Sequence, residues 1–111
     1  MGSKTLVNQQ RITMAEVAEQ YGFTEQQVIE LNSAMHVVWG NIAYDAVALF
    51  DCDESEIADD EKVEFVCDAN RLEFYSGIHN ANPDALNILY RLMKESKEWN
   101  EVPLAIWRAQ R

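Results

Sequence analysis

The chain has 111 residues, is 48% hydrophobic with eleven aromatic side chains, and carries a net charge of −10. That is enough apolar material for one domain around one core, while the acidity works against binding to nucleic acid or to an anionic membrane surface. No apolar run reaches the length of a bilayer span and no cleavable signal pattern opens the sequence, so a cytoplasmic protein is expected.

Residues 1–11 are polar apart from Leu6 and Val7, and the sequence predicts an extended lead-in there. The next twenty-one residues carry the strongest local signal. Thr13 is an N-cap whose hydroxyl can accept a bond from an orphan backbone N–H, and Glu16 three residues later completes a capping box. Ile12 and Val17 are spaced as a hydrophobic staple. The arrangement recurs eleven residues on, with Thr24 as the cap, Gln27 closing the box and Phe23 facing Val28. Gly22 lies between the two, where a left-handed residue must end the first helix. Two short helices are therefore predicted, at about 13–21 and 24–32.

Asn32 or Ser33 then reads as the cap of a third helix over about 34–50. Met35, Val38, Trp39, Ile42, Ala46, Leu49 and Phe50 form its stripe, and Val37, Tyr44 and Val47 make a second side apolar, so this helix should be central. Gly40 in its middle suggests close approach of another backbone. The following block, residues 51–70, holds nine acidic side chains and one basic, a net charge of −8. Residues 1–50 carry −3 and residues 71–111 carry +1. Asp53 or Ser55 can cap a helix whose first turn is rich in carboxylates, which suits the helix dipole. Val63, Val66, Cys67, Asn70 and Phe74 would lie on one side of it. Residues 62–75 also fit a β-hairpin turning at Asp68-Ala69-Asn70, with the helix preferred because its neighbours are helical. A loop is expected from Ser76 to Asn82. Asn82-Pro83 opens a helix to about Asn100, with Leu86, Leu89, Tyr90 and Met93 on its apolar face and Lys94 and Lys97 towards its C-terminus. Pro103 opens a last short helix, where Leu104, Ile106 and Trp107 can cover the core. The fold class expected is all-α: residues 1–111 as a single compact bundle of about five helices.

The stretch 12–32 resembles the helix-turn-helix of DNA-binding regulators. Ala18, Gly22, Phe23, Thr24 and Val28 stand where that motif has its small, turn, packing, cap and core residues. The resemblance implies a second helix that enters the major groove, with Gln26 and Gln27 reading adenine edges. Glu25 and Glu30 on the same helix would face phosphates, with only Lys4 and Arg11 nearby to offset them, which disfavours direct DNA binding. The pair is also similar to the helix pair of the LysM carbohydrate-binding module. That module needs a strand on each side, for which V-N-Q-Q-R and M-H-V-V-W-G-N supply no matching pattern.

Other chemistry is thinly represented. Asp51, Asp53, Ser55, Ile57 and Asp59 fall at alternate positions of a calcium loop, but Glu56 stands where the turn needs Gly and Lys62 where a bidentate Glu is needed. Glu16/Glu19, Glu56/Asp59 and Glu61/Glu64 are carboxylate pairs three residues apart. Such pairs bind magnesium in all-α nucleotide pyrophosphohydrolases, yet no Lys/Arg cluster accompanies these to hold a triphosphate. Cys52 and Cys67 lack the spacing of a metal pair and read as reduced thiols. His36 and His79 have no neighbouring nucleophile. No catalytic residue, metal ligand or cofactor is assigned. The leading expectation is a non-catalytic protein whose block Asp51, Asp53, Glu54, Glu56, Asp59, Asp60, Glu61, Glu64 and Asp68 faces a basic protein partner that itself binds nucleic acid. Charge and size are analogous to the nucleic-acid-mimicking inhibitors of phages and mobile elements. The alternatives are a helix-turn-helix regulator, as a homodimer, and a magnesium-dependent nucleotide hydrolase.

Overall fold

The computed structural model describes residues 12–68, 70–71, 73–74, 82–95 and 100–110. Five α-helices are defined among them: α1 (Met14–Tyr21), α2 (Glu25–Phe50), α3 (Asp59–Val66), α4 (Pro83–Glu95) and α5 (Glu101–Arg108). A 3-10 turn, Glu54–Glu56, precedes α3, and residues 70–71 and 73–74 are helical as well. The all-α bundle expected from the sequence is what forms. No strand occurs among the described residues, and the hairpin alternative at 62–75 is not seen in them. The predicted lead-in over 1–11 and most of the 76–82 loop lie outside the described residues.

Both capping boxes are present. The Thr13 hydroxyl accepts from the Glu16 N–H at 3.1 Å and the Thr13 N–H donates to the Glu16 carboxylate at 3.3 Å. Thr24 accepts from the Gln27 N–H at 3.0 Å, and its own N–H donates to Gln27 Oε1 at 2.8 Å. Gly22 takes φ +79° and ends α1, as the left-handed position requires.

The predicted break at Asn32–Ser33 does not exist. One helix of 26 residues, about 39 Å long at 1.5 Å per residue, runs from Glu25 to Phe50. The reason is a single apolar stripe that crosses the supposed boundary: Val28, Leu31, Met35, Val38 and Ile42 are all at most 1% exposed and recur at spacings of three and four. No proline interrupts it, and a local capping preference does not outweigh burial on both sides. Asn32, mid-helix, instead leaves its side-chain carbonyl buried with no hydrogen-bond partner among the described residues. The M-H-V-V-W-G-N segment is likewise helical throughout.

α2 is the central element and touches α1, the 3-10 turn, α3, α4 and α5. Its buried side carries Trp39 and Ala46 besides the stripe. The far end departs from expectation, since Leu49 is 68% exposed and Phe50 40%. Gly40 is exposed too, and a Cβ built there meets nothing within 4 Å, so it serves no close packing among the described residues. Val63, Val66 and Cys67 are buried as predicted, but α3 ends at Val66, and Asn70 and Phe74 are exposed rather than continuing its inner face. Pro103 lies at the third residue of α5, not ahead of it, where its missing N–H is one that no helix would have bonded. The two ends of the described fold are fastened together. The Gln110 N–H donates to the Ile12 carbonyl at 2.8 Å, and the Gln110 carbonyl accepts from Met14 at 3.1 Å, satisfying an orphan donor at the start of α1.

Candidate functional site

The acidic block is built by three consecutive pieces of chain wrapped around the C-terminal half of α2. Asp51 ends α2 in the left-handed region at φ +52°. Asp53 starts the 3-10 turn, and its N–H donates to the Glu56 carboxylate at 2.9 Å. Ile57 is 4% exposed and pins this turn to the core. Ile57 and Ala58 are extended, which separates Glu56 from Asp59. That carboxylate pair therefore does not share a helix, as its spacing had suggested. Asp59, Asp60 and Glu61 then occupy the first turn of α3, opposite the partial positive charge of its N-terminus.

Of the nine predicted partner-binding residues, Asp51, Asp53, Glu54, Glu56, Asp60, Glu61 and Glu64 are exposed, and Asp59 and Asp68 are half-buried. Several also have internal duties. Glu54 accepts from the Trp39 indole N–H at 3.2 Å. Asp59 accepts from Arg108 Nε at 3.4 Å, the one ion pair among the described residues. Asp68 accepts from the backbone N–H groups of Asn70 and Arg71 at 3.0 and 3.2 Å. Asp60 accepts from the Glu61 N–H at 3.0 Å.

Cys52, half-buried, lies between Asp51 and Asp53 in the middle of these carboxylates. The Cys52 thiol is pushed above its ordinary pKa, first by burial and then by Glu56, Asp53, Glu61 and Asp51. Glu61 comes from α3 and the other three from the α2 end and the turn, so the field is shared between elements. Cys67 is pushed up to about 12 by burial alone. Neither thiol is poised as a nucleophile, because the thiolate is the disfavoured form of both.

Beside the block lies a cluster that sequence reading did not assemble. His36 of α2 stacks on Trp107 of α5, ring centroids 4.1 Å apart and 14° from parallel. Trp107 meets Trp39 edge-on at 6.3 Å, and the Lys62 ammonium lies 5.6 Å from the Trp39 ring. The His36 pKa is lowered, by burial first and then by Lys62. Lys62, the lone base of residues 51–70, is thus turned towards the indoles. Trp39 and His36 are 23 and 26 residues away from it, so no local periodicity could have revealed them.

The DNA-reading alternative meets a specific geometry. Gln26 is exposed, but the Gln27 side chain is held in the Thr24 capping box, and the helix that carries both continues as the central rod of the core. Glu16, of the carboxylate pair Glu16/Glu19, is held by Thr13. Among the described residues no group of three or more His, Cys, Asp or Glu side chains is placed to hold a metal ion, and no described helix is long and apolar enough to cross a membrane. Comparison with protein-family models, curated proteins and solved structures gives no match.

Proposed function

We propose that this is a non-catalytic interaction protein that uses its acidic block to engage a basic surface on another protein, one that itself binds nucleic acid. The observation that carries the reading is exposure: seven of the nine block carboxylates are exposed, on the end of α2, the 3-10 turn and α3. Like charges held together at a surface repel one another. A cationic partner relieves that repulsion and gains long-range steering. Carboxylates three and four residues apart on a helix have Cβ atoms about 5–6 Å apart, a dense line of negative charge that competes with nucleic acid for a basic groove.

The test is capture of partners from the source cell, followed by competition. Bound proteins should be basic, should be displaced by added DNA, and should be released as salt rises from about 50 to 300 mM, where the screening length shortens markedly. Reversing Asp60, Glu61 and Glu64 to Lys should remove capture and leave the helical circular dichroism unchanged. Asp59 is spared in this variant because it pairs with Arg108. Capture that survives both the reversal and added DNA refutes the reading.

A further inference from the structure

The end of α2 exposes apolar surface where the core no longer needs it. Leu49 and Phe50 stand next to each other in sequence, 68% and 40% exposed. The Phe50 ring meets the half-buried Phe65 of α3 with centroids 5.7 Å apart and planes tilted by 59°, so Phe65 backs the exposed pair from the neighbouring element. Carboxylates flank this group along the chain on both elements. Asp45 lies one turn before Leu49 on α2, and Asp51 and Asp53 follow it. Glu61 and Glu64 precede Phe65 on α3 and Asp68 follows it. Scattered exposed leucines need no explanation; a contiguous apolar ridge rimmed by charges of one sign does.

The molecule itself shows what such a ridge accepts. The Arg71 guanidinium sits over the Phe65 ring, 4.2 Å from its centroid, and donates to the Phe65 carbonyl at 2.9 Å. Its backbone N–H is held by Asp68. A cation is thus already seated on this aromatic face between carboxylates. A second copy of this chain is the wrong occupant, because each copy carries −10 and like-charged surfaces facing each other are penalised.

We propose that Leu49 and Phe50, backed by Phe65, form the apolar centre of the docking surface, and that it takes a cationic amphipathic helix whose large apolar side chains alternate with Lys or Arg. This rests on the reading of the acidic block as a partner-binding surface and adds the form of the bound segment. The carboxylates then form the rim that steers and selects, and the ridge the desolvated centre that holds.

Two synthetic probes separate these contributions. One is a Leu/Lys helix of about five turns with Leu on one face; the other has Ser in place of every Leu and the same charge. At about 300 mM NaCl, where rim charges are largely screened, the protein should bind the Leu/Lys helix roughly ten-fold or more tightly than its Ser/Lys counterpart. Leu49→Ser alone should reduce that preference several-fold, and Leu49→Ser with Phe50→Ser should abolish it. Both variants should bind the Ser/Lys peptide at low salt as well as the unaltered protein does. Equal binding of the two peptides, or a preference that survives both substitutions, overturns the ridge as the docking centre and leaves the acidic reading standing. Failure of either peptide to bind at low salt overturns both. A dimer in light scattering that Leu49→Ser dissociates also overturns the proposal, since the occupant is then a second copy.

Discussion

Gly22 and His36 illustrate how much one residue can decide. Gly22 sits at φ +79° with open space around the place where a Cβ would project, so the cost of a side chain there is backbone strain alone. Gly22→Ala should destabilise the fold by about 1 kcal/mol, read as a lowered urea midpoint at unchanged slope. His36 acts through linkage. Its pKa in the folded protein is below the ordinary value, so the unfolded chain takes up the proton first as pH falls. Stability should therefore drop as pH falls through about 6.5, the unfolded value, down to the lower folded value, below which both states are protonated. Denaturation of the unaltered protein and of His36→Gln at about pH 7.5 and 5.5 isolates this contribution from other titrating groups; equal pH dependence in the two would sink it. The caps and Gly22 were legible from the sequence because each acts within four residues. The His36 stack on Trp107 was not, since 71 residues separate the partners.

At the scale of the element, the long central helix makes the sharpest distinction. If α2 is one helix, proline at position 33 breaks it in the interior, and Ser33→Pro should cost about 3 kcal/mol or more. Were Asn32 a true N-cap, proline there would be at a favoured first position and nearly neutral. Gly40 tests the same helix in the other direction. It is exposed, mid-helical and meets no neighbour among the described residues, so Gly40→Ala should stabilise by about 1 kcal/mol through helix propensity. Thermal or urea unfolding reads both. The helix was misdivided in the sequence because Asn and Ser side by side are a strong local start signal. The continuing 3–4 spacing from Val28 to Ile42 was the competing signal, and burial of that stripe is the larger effect.

For the whole molecule, charge is the property to test. Most of the −10 lies in one block, and the Cys52 thiol is pushed above its ordinary pKa by burial first and then by the neighbouring carboxylates. Raising salt screens that field. At a fixed pH of about 8, Cys52 should therefore alkylate faster in about 0.5 M NaCl than in 20 mM, by a factor of a few. Cys67, buried and with its pKa up to about 12, should remain unmodified at both. Mass spectrometry of the labelled chain distinguishes the two sites, and a salt-independent Cys52 rate would mean that the carboxylates are not gathered there.

The sequence by itself determined the helical class, the two capped starts, the central position of residues 34–50 and the location of the excess charge along the chain. These follow from periodicity, from caps that act over three or four residues, and from counting. Only tertiary structure decided that α2 is continuous, that His36, Trp39, Lys62 and Trp107 meet, and that Leu49 and Phe50 lie at the surface instead of in the core. Each depends on which surfaces meet across tens of residues. Once the inner stripe of α2 is covered by its neighbours, Leu49 one turn further along stays exposed and Phe50 keeps only the edge of the packing, against Phe65.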